Sequence, residues 1–229
     1  TLVAAVIDPE ISAIERYRGL AARHGLAIRY AIDTHTHADH FSAAREIART
    51  LDAQVVMSHR SPAPFIDLRL DDGDMLLIGD MRVQAIATPG HTTDSTCLVV
   101  EDHIFTGDTL LIGGTGRTDL PTGDPEQLYE SLFNRVLKLD PALNVHPAHE
   151  YKGRAGTTIG EEIKTNPRLQ KTGRAEFVAM MRALDIKAPQ HLTEALRVNM
   201  SGRKSVAQLL AEAASAVPFM SMTELSARI

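Results

Sequence analysis

The chain has 229 residues, enough for one large domain or a domain plus an extension, and at this size a core needs no covalent staples. Lys+Arg number 24 against 29 Asp+Glu, a formal charge of −5, and no basic block occurs, which argues against a nucleic-acid or anionic-membrane surface. A single cysteine, Cys97, excludes an internal disulfide framework and predicts a reducing, cytoplasmic setting; no apolar run approaches the roughly 20 residues of a membrane span, and no secretory leader is legible.

Leu2 to Ile7 reads as a buried strand closed by Asp8-Pro9. Ile11, Ile14, Leu20 and Ala21 recur at helical spacing ahead of Gly25. Ile28 to Ile32 is the next strand, followed by a helix over 43–51 and a strand over 53–57. After the Asp71-Asp72-Gly73-Asp74 turn come strands over 75–78 and 82–88, the second stopped by Pro89-Gly90. Ser95 to Val100 and His103 to Thr106 read as a hairpin, and Gly113 to Gly123 as a long loop. A helix is predicted over 125–138, with Leu128, Leu132, Val136 and Leu139 on one face, then a short strand over 145–147. The remainder is expected to be largely helical, near 159–165, 174–185 and 203–216. Alternating strands and helices, then hairpins, indicate a mixed α/β sheet protein.

Histidine is unevenly placed. Residues 35 to 40 read His35-Thr36-His37-Ala38-Asp39-His40, directly after a strand. These side chains cannot all face one way on a strand or a helix, so they imply a loop folded around something; imidazole with carboxylate suits zinc, iron or manganese. His91, Asp108 and His149 each stand just beyond a later strand. Four strand ends closing on His or Asp would meet at one sheet edge, where open α/β sheets place their ligand sites. The candidate ligands are therefore His35, His37, Asp39, His40, His91, Asp108 and His149. His24, a helix-end cation, and His59, His103, His146 and His191 are assigned structural roles, and Cys97 a place in the core.

These motifs resemble those of the metallo-β-lactamase superfamily: the H-x-H-x-D-H loop, Pro89-Gly90-His91-Thr92, Gly107-Asp108 and Pro147-Ala148-His149 occur in its order. Gly116-Arg117-Thr118-Asp119, His149-Glu150-Tyr151, and Glu161-Glu162 followed by Asn166-Pro167-Arg168-Leu169 are similar to its persulfide dioxygenase branch, which is related to glyoxalase II. The resemblance covers residues 2 to 200. It implies a four-layer αβ/βα sandwich with a helical C-terminal region, an α/β (α+β) fold. It implies a catalytic domain over 1–200 that lacks its first strands. Residues 201–229 would be a helical extension or the start of a further domain.

The activity implied is oxidation of glutathione persulfide by O₂ to sulfite and glutathione at one Fe(II), held by His35, His91 and Asp108. His37, Asp39, His40 and His149 would then orient those ligands. The alternative is a glyoxalase II-type hydrolase with two zinc ions: His35, His37 and His91 on one, Asp39, His40 and His149 on the other, and Asp108 between them. A non-catalytic metal-binding module is the third reading. The resemblance further implies Arg117 and Arg168 as partners for the glutathione carboxylates, with Thr92, Thr106 and Tyr151 as hydrogen-bonding candidates. Near Asn199 some relatives carry a cysteine that this chain lacks. A homodimer and a fused or partner rhodanese are also expected.

Overall fold

In the N-terminal half each apolar run is followed by a crossover rather than a tight turn, and parallel pairing results. Strand β1 (Leu2–Ile7) pairs with β2 (Leu26–Ile32), β2 with β3 (Gln54–Ser58), and β3 with β4 (Leu68–Leu70), all parallel. Helices α1 (Ile14–Arg23) and α2 (Ala44–Leu51) fill the first two crossovers. The computed structural model describes residues 2–151, 153–154, 156–187, 189 and 192–201. The helix expected over 203–216 and most of the 201–229 extension lie outside the described residues.

The hairpin signals produce the second sheet. Strands β5 (Met75–Ile78), β6 (Met81–Ala87), β7 (Thr96–Val100) and β8 (His103–Gly107) pair antiparallel in sequence order. Next come β9 (Leu110–Leu111) and β10 (Gly114–Thr115), a two-residue-wide hairpin at the start of the expected loop, and then helix α3 (Pro125–Phe133). Strand β11 (Asn144–Pro147) returns to pair parallel with β8. Helices α4 (Ile159–Thr165), α5 (Arg174–Arg182) and α6 (Leu192–Ser201) follow; α6 is not among the elements expected from the sequence.

Strand alternation sorts the side chains into three cores. Ala31, Val55 and Met57 point outward into a cluster with Ile28, Ala44 and Ile47 beneath the first two helices. Their neighbours Ile32 and Val56 point inward, meeting Leu76, Val83, Ala85 and Leu98 of the second sheet. Ile86, Cys97 and Ile104 face the other way, against Leu128, Leu132, Ile159 and Phe177 of the later helices. The order helix, sheet, sheet, helix is the expected αβ/βα sandwich. Among the described residues no helix is long and apolar enough to cross a membrane.

Local chemistry sets the helix ends. Asp124 caps α3 by accepting from the N–H groups of Glu126 and Gln127, with Pro125 in the first turn. Thr158 caps α4 by accepting from Glu161. Helix α3 stops at Phe133, short of the expected Lys138, and a 3-10 turn over Val136–Lys138 completes the apolar face. The break lets Arg135 turn out to the Ala87 carbonyl at 2.6 Å and to Asp72.

Candidate metal centre

The C-terminal ends of β2, β6, β8 and β11 meet at one edge of the sandwich, the first from one sheet and the rest from the other. Backbone bonds tie these ends together: Thr96 N–H donates to the Thr34 carbonyl at 2.9 Å, and Ala148 N–H to the Gly107 carbonyl at 3.0 Å. All seven candidate ligands converge there.

His35, His91 and Asp108 form one set, with donor atoms within 4.8 Å of one another. Each imidazole is turned by a hydrogen bond on its other nitrogen. His91 Nδ1 donates to the Arg117 carbonyl at 2.8 Å. Thr34 Oγ1 gives its proton to Asp8 at 2.9 Å, so the His35 Nδ1 beside it, also at 2.9 Å, is the donor there. Nε2 of both rings is left as a lone pair, and that of His35 is buried without any protein partner. Asp108 accepts from His149 on Oδ1 at 2.8 Å, while Oδ2 faces His91 at 3.6 Å.

His37, Asp39 and His40 form a second set. His37 Nε2 bonds Asp8 at 3.0 Å, leaving Nδ1 buried and unpartnered, as is His40 Nε2. Buried nitrogens without partners are costly unless something occupies the space between them, and this donor chemistry suits a transition-metal ion. His37 groups with Asp39 and His40, and equally with Asp8 and Asp33, while its ring lies 4.2 Å from that of His35 between centroids. Asp8 holds this ring by its Nε2. His149 spans the two sets, with Nε2 on Asp39 and Nδ1 on Asp108, both at 2.8 Å.

Charge in the centre follows these contacts. Burial, then the neighbouring His37 and His91, lowers His35 to about 3, so its ring is neutral. Burial opposes charge on His149 too, but hydrogen bonds to Asp108 and Asp39 raise it to about 10. Burial would raise Asp108 as well; the His149 bond and the nearby rings of His35 and His91 hold it well below the ordinary carboxylate range. The His35–His91–Asp108 set thus offers two imidazole nitrogens and one carboxylate, with the His35 ring neutral.

A cavity of about 650 Å³ opens onto His91, Asp108 and His149, with Tyr151, Arg168 and Lys187 also in its wall. The Tyr151 ring lies parallel to His149 at 5.7 Å and is largely exposed. Arg168 donates to the Thr115 carbonyl at 2.7 Å and has no carboxylate partner among the described residues. Arg117 lines the same cavity. Four of its five N–H donors are committed, two to Asp119 at 2.6 Å and two to the Ile186 and Lys187 carbonyls. Thr92 and Thr106 depart from expectation. Both are buried and outside the cavity wall, Thr92 donating to Asp94 at 2.7 Å and Thr106 to the Leu110 carbonyl at 2.7 Å. Of the other histidines, His59 pairs with Asp71 and His103 with His146 and Asp102, while His191 lies outside the described residues.

Several residues that shape the site were not singled out by sequence. Asp8 serves both Thr34 and His37; its only cue was its place at the end of the first strand. Asp94 bonds Thr36 Oγ1 at 2.5 Å and Thr92, tying the histidine loop to the His91 turn. Glu162, fully buried, accepts from Gly113 N–H at 2.7 Å, Asn166 at 2.8 Å and Thr157 at 2.8 Å. Asn166 in turn donates to the Gly114 carbonyl at 2.9 Å, fixing the hairpin that holds Arg168. Gly107, at φ +50°, lies where a Cβ would meet Thr34 Oγ1 at 2.5 Å, so glycine is required beside the His35 ligand.

The sequence model of the metallo-beta-lactamase superfamily matches residues 4–149. The chain is 38% identical over 200 residues to the mitochondrial persulfide dioxygenase ETHE1 of Bos taurus, covering 86% of this chain and 78% of that one. The crystal structure of ETHE1 from Myxococcus xanthus superposes with a TM-score of 0.84 at 37% identity, over 86% of this chain and 88% of the other. The crystal structure of TTHA1623 in a di-iron-bound form superposes with a TM-score of 0.60 at 32% identity, over 70% and 87%. With its ligand motifs, its sandwich and these similarities in agreement, the chain belongs to the metallo-β-lactamase superfamily and, within it, to the persulfide dioxygenase family.

Proposed function

We propose that the protein is a persulfide dioxygenase converting glutathione persulfide, O₂ and water to glutathione and sulfite, with one Fe(II) held by His35 Nε2, His91 Nε2 and Asp108 Oδ2. The observation that carries this reading is the set of two imidazoles and one carboxylate, preoriented by hydrogen bonds, with His91 and Asp108 opening onto the cavity. A ferrous ion held by these residues would supply the redox chemistry that lets a sulfur anion and O₂ react. Likeness to the mammalian and Myxococcus proteins supports the persulfide substrate, and the di-iron relative supports iron.

The side chains have separable tasks. Thr34, through Asp8, and the Arg117 carbonyl keep protons on the outer nitrogens of His35 and His91, so the inner nitrogens stay available. His149 holds protons on both nitrogens between Asp108 and Asp39, leaving Asp108 one free oxygen. His37, Asp39 and His40 orient this floor. Arg168, lacking a carboxylate partner among the described residues, receives a carboxylate of glutathione at the cavity wall, and Tyr151 offers a hydroxyl beside it. Catalysis over residues 1–200, a homodimer, a rhodanese partner or fused domain, and a cytoplasmic location are proposed with this reading; the lone buried Cys97 supports the last.

Oxygen uptake by the Fe(II)-loaded protein with glutathione persulfide tests the reading. Matched O₂ loss and sulfite formation are expected. No uptake from an iron-loaded sample, with hydrolysis of S-lactoylglutathione by the zinc-loaded protein, would replace it with the hydrolase.

A further inference from the structure

The loop from His35 to Ser42 belongs to no strand ladder beyond a single bridge at Ser42, so most of its carbonyls must find partners elsewhere. Two of them, from His37 and His40, point at one side chain. Asn199 Nδ2 donates to both at 2.9 Å, and Asn199 Oδ1 accepts from Ser42 N–H at 3.1 Å. Carbonyls require the amide nitrogen and an N–H requires the oxygen, so the partners fix the orientation of this amide. Asn199 stands near the end of α6, 162 residues from His37, and is 7% exposed. It does not line the cavity, and its three hydrogen bonds all go to backbone groups.

We infer that Asn199 is a positioning residue for the metal centre. By drawing the His37 and His40 carbonyls to one point it fixes the turn between them, and with it the directions in which the two rings present their unpartnered nitrogens. Those rings lie 4.2 Å apart between centroids. The clamp continues through Ser42, whose hydroxyl donates to Asp33 at 2.7 Å. Helix α6 thereby couples to the ligand loop through one amide. A side chain of this kind, orienting ligands from behind, changes metal affinity about 10- to 100-fold when altered. The inference rests on the centre being a metal site, and the experiment separates the two.

Co(II) is titrated into the full chain, metal-free, as wild type, Asn199→Asp and Asn199→Ala, following the visible cobalt bands and binding strength. The wild type is expected to bind. The variants should keep their far-UV circular dichroism but bind cobalt about 10- to 100-fold more weakly, with shifted bands. A wild type that binds no cobalt overturns the metal centre itself. Variants with unchanged bands and affinity, and only a lower Tm, overturn the inference. Should neither variant fold, hydrogen exchange on the wild type decides: cobalt should protect 192–201 together with 37–42, because coupling is reciprocal. Protection of 37–42 alone would overturn the clamp.

Discussion

Asp8 and His37 stand 29 residues apart, and the carboxylate Oδ1 of the first lies 3.0 Å from Nε2 of the second. The same carboxylate accepts from the backbone and hydroxyl of Thr34, so one side chain turns a ring in each ligand set. Metal binding should therefore weaken about 10- to 100-fold in Asp8→Asn, measured for Fe(II) by competition with a chromogenic chelator.

The pair also sets a pH dependence for the metal-free protein. Burial would raise Asp8, but attraction and a hydrogen bond to His37 hold it below its ordinary 3.8. Its contribution is complete above about pH 4 and is lost as pH falls. Burial would lower His37, but Asp8 and Asp33 raise it from 6.5 to about 9. That contribution is complete below about pH 6.5 and is lost as pH rises through about 9. The Tm difference between wild type and Asp8→Asn should be widest between about pH 4 and 6.5 and shrink on both sides. A difference independent of pH would refute the pairing.

Arg168 and Arg117 should separate kinetically. Losing a charge-assisted contact costs about 1.5–3 kcal/mol, so Arg168→Met should raise KM for glutathione persulfide about 10-fold or more with kcat little changed. Arg117→Met should instead lower Tm, because its donors hold Asp119 and the 186–187 backbone rather than substrate. Equal KM effects in both variants would contradict this division.

Glu162 carries three donors on a fully buried carboxylate. Removing it in Glu162→Ala strands them, at a cost of about 3 kcal/mol, read as a shift in the urea midpoint.

Gly116 offers a steric test. A Cβ there would lie 2.0 Å from the Asp108 carbonyl oxygen and 3.0 Å from the His91 ring. Gly116→Ala should displace two proposed ligands at once and lower iron occupancy, measured by metal analysis after dialysis.

Cys97 should be inert. Burial pushes its thiol up to about 11, and its sulfur is wholly enclosed among Thr88, Thr106 and core side chains. Iodoacetamide at pH 8 should leave the native protein unmodified and alkylate it in urea.

The ligand set was legible because its residue types are improbable neighbours: His35, His37, Asp39 and His40 cannot share one face of a regular element, and His91, Asp108 and His149 repeat the strand-end position. The strands were legible from apolar alternation, and the glycines beside Asp108 from the turns they permit. Asp8, Asp94 and Asn199 were not, since an isolated Asp or Asn has many ordinary uses and only its partners distinguish it. Thr92 and Thr106 misled for the same reason: a threonine beside a ligand can face the cavity or its own turn, and here each hydroxyl closes a local bond. That Arg117, in the cavity wall, pairs with the carboxylate two residues onward is likewise known only from its partners.

Sequence by itself determined which atoms are available to a metal, because side-chain chemistry and strand period are local properties. Tertiary structure decided how those atoms are grouped and aimed. Asp8 holds the His37 ring from 29 residues away, and Asn199 reaches the loop from 162 residues away, because both outcomes depend on where buried hydrogen bonds find partners across the two sheets.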